Sequence, residues 1–453
     1  MTYTIDPEHP ERALSITEAA RERPDGLCLR TSEGDISFSE AARRAALIKR
    51  TLTPPPAGRP YVMQARTDVE SILTFYALLE AQVPMLLLSP KLTEAETRAY
   101  VEAAQRIDEP LEADAAVVIF TSGTTGASKP AILSRRTLAA NALAVSRHIA
   151  MTEDDVWLLS LSPARVGGLG ILTRSLACRS GVALGAKYSA QGFVSELSDM
   201  HVTIASLVPA MVIDVLEHFP QWQPPRDFRL LLVGGSACPA SLRRRALAAR
   251  IPVVTTYAMT ETASSVGMSP YEDRLTENFC ADRALEGVEF RLTDKNEVLV
   301  RGPMLMNGYW GRSRLAPGAW HATGDIARED GLGGLRIQAR QSEVMITGGE
   351  KVYPAEVELA LEEIPGVKAA LAAGIPDEKW GVIVGALLVP SPGMQRPTGE
   401  AIARGVRAQL AAYKCPRRIA WVEELPRTRE GKPRREPSVF EGLALETLHY
   451  TNL

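Results

Sequence analysis

The stretch Ala115-Ala116-Val117-Val118-Ile119-Phe120-Thr121-Ser122-Gly123-Thr124-Thr125-Gly126-Ala127-Ser128-Lys129-Pro130 decides how the chain is read. Its first part is an apolar run of β-type residues without polar alternation, the pattern of a strand buried on both faces. Its second part is rich in hydroxyl residues and glycine and predicts a loop. A buried strand that feeds a flexible polar loop is a frequent active-site arrangement. Thr121, Ser122, Gly123, Thr124, Thr125, Gly126 and Lys129 offer hydroxyls, backbone amides freed by glycine, and one ammonium, which together suit a polyphosphate. The loop is not of the Gly-x-x-x-x-Gly-Lys-Ser/Thr type, since Pro130 stands where that motif needs a magnesium-binding hydroxyl. Composition alone would also allow a surface turn.

Upstream, residues 12–51 read as helical turns and are interrupted by Pro54-Pro55-Pro56. Strand-like Tyr61-Val62-Met63, an apolar helix around 68–81, the run Val83–Leu88 and a helix over 92–107 follow, so α and β segments alternate in a layered arrangement. Downstream the theme repeats. Leu230–Val233 precedes Gly234-Gly235-Ser236, and Ile251–Tyr257 precedes Ala258-Met259-Thr260-Glu261. Ligands in open α/β sheets sit beyond strand carboxyl ends, so these two loops and the first are expected to share one site. After about residue 285 short β-like runs with Gly and Pro, such as Glu297–Val300 before Arg301-Gly302-Pro303, predict a sheet or distorted barrel subdomain. From Val344 a small α+β unit begins, with Gly348-Gly349, a helix from Pro354 and a strand around 367–373. The expected fold class is α/β, with a large multi-subdomain N-terminal domain (1–340) that includes a β-rich subdomain, and a small α+β C-terminal domain (341–453).

A chain of 453 residues exceeds one ordinary core, and 45% hydrophobic with 23% charged residues is the balance of a soluble globular protein. The charge sum, 51 − 54 = −3, advertises no nucleic acid. Cys28, Cys178, Cys238, Cys280 and Cys415 are odd in number, widely spaced and without a C-x-x-C pair, which fits a reducing compartment. No basic region precedes an apolar run at the amino terminus, and no apolar segment approaches the roughly 20 residues that span a bilayer. The expected location is cytoplasmic.

The loop Thr121–Lys129 resembles the signature of the acyl-adenylate-forming superfamily, which includes acyl-CoA synthetases, luciferases and non-ribosomal adenylation domains. Further segments match in order: Tyr257-Ala258-Met259-Thr260-Glu261 is similar to the family's aromatic-x-x-Thr-Glu, and Thr323-Gly324-Asp325 to its Thr-Gly-Asp. Arg340 to Glu350 is similar to its hinge region, and Lys432 to its late lysine. The resemblance spans about 115 to 435. It implies an ATP-dependent acid–thiol ligase that forms an acyl-AMP and then a thioester, with Mg2+ as cofactor and ATP and CoA as co-substrates. The C-terminal domain is implied to be mobile and to carry the catalytic lysine.

The resemblance also implies roles. The Thr121–Lys129 loop would hold the departing pyrophosphate, Thr260 would contact the α-phosphate, and Glu261 would ligate magnesium, although Thr and Glu equally suit the first turn of a helix. Asp325 would bind the ribose hydroxyls, or be a turn carboxylate. Tyr257 would face adenine, with Gly234, Gly235 and Ser236 as the opposite wall, or be a core aromatic at a strand end. Arg340 is expected near ribose or phosphates, against an exposed linker charge. Lys432 lies in a stretch, Arg427–Arg435, that composition reads as a solvated basic tail or a weak nucleic-acid patch; in the family it bridges carboxylate and phosphate during adenylation. Gly348 and Gly349 would face the acyl-AMP on the thiol side.

The stretch Leu161–Gly170, which the family uses to line its acyl pocket, and the run Gly168–Leu176 look most like the 2-succinylbenzoate–CoA ligases of menaquinone biosynthesis. Arg165 stands where that group commonly carries His. Its fixed charge would bind a second carboxylate or a phosphate, which fits either the succinyl carboxylate or a different aromatic acid; a surface arginine is the plain alternative. Ala339 and Ser342 also depart from the usual hinge residues. Other readings left open are a carrier-protein ligase, another aryl-acid CoA ligase of secondary metabolism, and a catalytically silent homologue acting as a binding module. The implied partners are an aromatic carboxylic acid, ATP, CoA and an acyl carrier protein, with an oligomer compatible. His148, His201 and His218 receive no chemistry, while His321 lies close to Thr323-Gly324-Asp325.

Overall fold

The computed structural model describes residues 10–121, 129–276, 282–312, 314–331, 333–347, 350–378, 380–428 and 432–450. The chain divides into two compact units, residues 1–290 with 300–321, and residues 291–299 with 322–453.

In the first unit the run Ala115–Thr121 is a strand buried at every position. It lies in a five-stranded sheet, in the order Gly308–Tyr309, Lys129–Ser134, Ala115–Thr121, Met85–Leu88, Tyr61–Gln64. The last three strands run parallel and the others antiparallel. The helix Val69–Glu80, capped by Asp68, makes the crossover from Tyr61–Gln64 to Met85–Leu88 and buries Ile72, Leu73, Phe75 and Leu78. Thr93 and Glu96 close a reciprocal capping box at the start of helix Glu94–Gln105.

A second sheet contains Ile204–Leu207, Leu230–Val233 and Val253–Met259 as parallel neighbours, followed by antiparallel Ser264–Met268. Its parallel strands are apolar because helices cover them: Val212, Val215, Leu242 and Ala246 pack on Leu207, Leu231 and Val253. The opening of the chain departs from the all-helical reading. Leu27–Thr31 and Gly34–Ser37 form a hairpin that joins this sheet next to Gly181–Ala183. The turn-forming Glu33-Gly34 and the burial of Cys28 and Leu29 override the local helical composition.

The second unit carries the hairpin of His321–Glu329 and Gly334–Arg340, of which all but His321 belongs to this unit. Beyond it, Val367–Asp377, Gly381–Pro390, Arg418–Trp421 and Glu446–Thr447 form a four-stranded sheet. Helices Pro354–Glu362 and Gly399–Arg407 cover one face through Val357, Leu361, Ile402 and Val406. Phe440 packs with Leu371 and Leu387 on the other. The molecule is thus mixed α/β, with a large sheet-rich N-terminal part and a smaller α+β C-terminal part. Among the described residues no helix is long and apolar enough to cross a membrane.

Candidate active site

The loop between Thr121 and Lys129 is anchored by direct pairing, since these two residues are opposite partners in the antiparallel hairpin. Ser122, Gly123, Thr124, Thr125 and Gly126 lie outside the described residues, as do Gly348 and Gly349. Lys129 therefore enters the site from the first strand position after the loop. Its ammonium lies 5.4 Å from the centroid of the Tyr309 ring, and the Tyr309 hydroxyl donates to Glu261 Oε1 at 2.7 Å. One phenol thus lies near the Lys129 ammonium and hydrogen-bonds the Glu261 carboxylate.

Tyr309 reaches that place because its segment bridges the two sheets. Gly308 and Tyr309 pair with Ile132 and Ala131; Trp310 N–H donates to the Pro130 carbonyl at 2.8 Å, and Met306 N–H to the Glu261 carbonyl at 2.7 Å. Sequence reading passed over this segment. The signal available was the glycine-led aromatic pair Gly308-Tyr309-Trp310 after Gly302-Pro303. His321 belongs to the same neighbourhood: burial lowers its pKa, the Glu261 charge opposes that, and Lys129 adds to it.

Thr260 and Glu261 do not start a helix. Thr260–Thr262 is a single 3-10 turn that reverses the chain into Ser264–Met268, with Ala263 at φ 55° and Ser264 at φ 133°. Two successive non-glycine residues at positive φ persist only where the surroundings over-determine them. Thr262 Oγ1 donates to the Ser264 carbonyl at 2.8 Å and closes the turn.

The glycines after Leu230–Val233 lie beside Tyr257's strand. A Cβ on Gly234 would meet Thr256 Cγ2 at 2.6 Å, so only glycine lets the two strand ends approach; Gly235, at φ +83°, needs glycine for its backbone. Ser236 follows, partly exposed. Tyr257 is 8% exposed and tilts against Phe290, ring centroids 6.2 Å apart. These two loops share neighbouring strands of one sheet, whereas the Thr121 loop comes from the other sheet. What joins them is the 302–310 segment.

Arg165 occupies the N-cap of helix Val166–Cys178 with extended backbone and no side-chain cap. Gly168 is buried there because a Cβ would come within 2.4 Å of the Leu161 carbonyl oxygen and the Ser162 backbone.

Asp325, Arg340 and Lys432 belong to the second unit. Asp325 is 3% exposed and is the cross-strand partner of Arg340, whose Nε meets Oδ1 at 2.9 Å. Thr323 Oγ1 donates to the Val298 carbonyl at 2.9 Å and accepts from Asp325 N–H at 3.0 Å, which fixes the Thr-Gly-Asp turn. Arg340 is thus an ion-pair partner, not a bare linker charge. Lys432 is exposed, at the end of a loop closed by Thr428 N–H to the Lys432 carbonyl at 2.7 Å and by Arg434 N–H to the Pro426 carbonyl at 3.0 Å. Arg435, which composition placed in a solvated tail, is instead anchored: it meets Glu358 at 2.9 Å and Glu343 at 3.3 Å. Burial pushes the Glu343 carboxyl up, and Arg435 opposes it.

The described residues contain no group of three or more His, Cys, Asp or Glu side chains able to hold a metal by themselves. A single carboxylate such as Glu261 suits Mg2+, which takes most of its ligands from water and substrate phosphates.

The family model described as AMP-binding enzyme matches residues 100–310, and that of the AMP-binding enzyme C-terminal domain matches residues 356–432. A 2-succinylbenzoate–CoA ligase from Bacillus mycoides (strain KBAB4) is 31% identical over 378 residues, covering 81% of this chain and 77% of the relative. Among solved structures, the o-succinylbenzoate CoA synthetase of Bacillus subtilis in complex with the acyl-adenylate intermediate OSB-AMP superposes with a TM-score of 0.78 at 24% identity, covering 92% and 96% of the two chains. ATP-bound MatB from Rhodopseudomonas palustris gives 0.80 at 25% identity, covering 93% and 97%. With the matched motifs in order along both parts of the chain, this protein belongs to the AMP-binding enzyme family.

Proposed function

We propose that this protein is an AMP-forming acid–thiol ligase that joins 2-succinylbenzoate to coenzyme A in the cytoplasmic synthesis of menaquinone. The observation that carries the chemistry is the gathering of Lys129 and Glu261 on Tyr309 at the mouth of the Thr121–Lys129 loop. An ammonium and a hard carboxylate held a phenol apart match a polyphosphate and its metal ion. The relatives' names supply the acid.

In the first half-reaction a substrate carboxylate oxygen attacks the α-phosphorus of ATP, the bond to the β-phosphate oxygen breaks, and acyl-AMP and pyrophosphate form. Glu261 would hold Mg2+, which when bound would supply charge neutralisation to the phosphates. Thr121, Ser122, Gly123, Thr124, Thr125, Gly126 and Lys129 hold the leaving pyrophosphate, and Thr260 the α-phosphate. Tyr257 with Gly234, Gly235 and Ser236 takes adenine. Asp325 accepts from the ribose hydroxyls, its carboxylate steadied by Arg340. Lys432 spans the substrate carboxylate and the α-phosphate. In the second half-reaction the CoA sulfur attacks the acyl carbonyl and AMP leaves. Residues 341–453 are the mobile part, withdrawing Lys432 and offering Gly348 and Gly349 for thiol entry.

Arg165 with Gly168 lines the acid side, and the Arg165 guanidinium pairs the second carboxylate of the substrate. Because Arg165 replaces the usual His, a second reading keeps the mechanism and changes the acid to another aryl dicarboxylate, or the thiol to that of a carrier protein. The test is AMP and pyrophosphate release from MgATP with a panel of aromatic and aliphatic acids, with and without CoA, the thioester being identified by mass. Succinylbenzoyl-CoA supports the first reading. A thioester from a different acid moves the pathway, pyrophosphate without AMP or thioester points to a carrier-protein thiol, and no pyrophosphate with any acid would refute both.

A further inference from the structure

Helix Val166–Cys178 is apolar along most of its length, yet it carries one arginine, Arg174, at 1% exposure. Among the described residues no carboxylate pairs with it and its Nε has no acceptor. A buried charge without a counter-charge is costly, and only pairing or hydrogen bonds offset that cost. The fold makes room for it: a Cβ on Gly170 would meet Arg174 Cζ at 2.9 Å, and the guanidinium lies 5.5 Å from the centroid of Trp157. Burial pushes its pKa down to about 9, so it remains a cation at neutral pH.

Its polar contacts lead to one place. Arg174 Nη2 donates to Asn141 Oδ1 at 3.1 Å and lies 3.5 Å from Ser265 Oγ. With its oxygen committed, the Asn141 amide is oriented, and its Nδ2 donates to the Thr262 carbonyl at 3.1 Å and the Ser265 carbonyl at 2.8 Å. Asn141 is itself 1% exposed. These two carbonyls flank Ala263 and Ser264, the residues at positive φ that complete the turn after Glu261. The side-chain amide therefore bridges the strained bend, while Met306 and Tyr309 hold Glu261 from the 306–309 segment.

We propose that Arg174 and Asn141 are positioning residues that clamp the Thr260–Ser265 turn and so hold the Glu261 carboxylate in place for the metal-bound phosphates. The inference rests on the ligase reading for the role of Glu261. Arg174 fixes the Asn141 rotamer; Asn141 fixes the turn; neither touches substrate.

Asn141→Asp is the decisive variant. It keeps the volume and gives Arg174 a carboxylate, but it replaces the two N–H donors by an oxygen that repels the Thr262 and Ser265 carbonyls. AMP formation is measured with an acid that the wild-type protein turns over, across a Mg2+ titration, with a thermal melt of each protein. The expected result is a folded variant whose half-saturating Mg2+ rises about tenfold and whose kcat falls, with the KM for the acid little changed. Arg174→Met, which frees the Asn141 amide to rotate, is expected to shift Mg2+ the same way by a smaller factor, and it carries the test if Asn141→Asp does not fold. Leu176→Ala, a cavity in the same helix, is expected to lower the melting temperature without moving the Mg2+ dependence. Wild-type Mg2+ dependence in both polar variants, or an equal shift in Leu176→Ala, would overturn the proposal. Absence of turnover in the wild type with every acid would instead strike the ligase reading.

Discussion

Tyr309 and Glu261 meet hydroxyl to carboxylate at 2.7 Å across a sequence separation of 48 residues. The contact ties Glu261, the carboxylate proposed to hold the metal, to strand Gly308–Tyr309, which pairs with the strand that follows the Thr121–Lys129 loop. Charge-assisted hydrogen bonds of this kind contribute about 1.5–3 kcal/mol. Tyr309→Phe keeps the ring beneath Lys129 and removes the donor. The expected outcome is a fall of about tenfold in kcat/KM for MgATP, with fold and acid KM retained. Unchanged MgATP kinetics would remove Tyr309 from the site.

Asp325 and Arg340 form a second pair, buried on the acid and half-exposed on the base. Asp325→Asn preserves shape but presents an amide donor where a diol needs an acceptor. The KM for ATP is expected to rise by about tenfold or more, with a smaller effect on the KM for CoA. Arg340→Met leaves the 3% exposed Asp325 carboxylate without this cation, and is expected to lower both stability and ATP affinity. If isothermal titration found wild-type ATP affinity in Asp325→Asn, the ribose assignment would fail.

Gly167 and Gly168 differ by one position and are expected to respond to alanine very differently. A Cβ at Gly168 runs into backbone of Leu161 and Ser162 at 2.4 Å, whereas at Gly167 it meets only the Leu161 Cδ1 methyl at 3.1 Å. Backbone cannot yield as a side chain can, so Gly168→Ala is expected to cost about 1–3 kcal/mol and to displace the loop bearing Arg165. Gly167→Ala is expected to be nearly neutral. Denaturant melts of both variants, with the acid KM, check the contrast.

Elements whose signal is local were legible. The run Ala115–Phe120 reads as a strand because no polar residue interrupts it, and the observed strand extends one residue further, to Thr121; the helix expected over 68–81 is observed at Val69–Glu80. The hairpin Leu27–Ser37 was not legible, because its first strand is held by pairing with Gly181–Ala183 and its second by pairing with the first, rather than by their own pattern. Thr260-Glu261 suits a helix start by residue type, and only the hairpin register makes it a turn. Arg174 and Asn141 are 33 residues apart, and Asn141 and Ser265 are 124 apart. A lone arginine in an apolar helix is visible in sequence; the partner that explains it is not. Arg435 was hidden by its neighbours, since a run of basic residues looks solvated until one of them is seen to be anchored.

Glu362 gives the fold a pH dependence of its own. Burial is the main cause of its raised pKa, pushed from 4.5 up to about 7, with the Glu358 charge adding and the Ala370 N–H opposing. Between those values the folded protein holds a proton that the unfolded chain has released, so stability falls as pH rises through the window. Glu362→Gln keeps an acceptor for Ala370 and abolishes the ionisation. Urea melts are expected to show the variant gaining on the order of 2 kcal/mol over the wild type at pH 8, discounted for partial exposure, and losing that advantage by pH 5. A constant difference across this range would mean that Glu362 titrates normally.

Lys432 and Arg435 stand three residues apart and are expected to fail differently. Lys432 is exposed, so Lys432→Ala should leave the melting temperature close to the wild type while abolishing acid-dependent AMP formation. It should largely spare thioester formation from presynthesised acyl-AMP, a step in which no carboxylate needs bridging to phosphate. Arg435 is tied to Glu358 and Glu343, with only 16% of its side chain exposed. Arg435→Met strands those carboxylates, which costs about 3–5 kcal/mol for a buried pair and less at this exposure. It should therefore lower the melting temperature and reduce adenylation only in part, through a loosened Lys432 loop. Equal loss of both half-reactions in Lys432→Ala would show that the lysine supports the fold or the thiol step, and the bridging role would have to be withdrawn.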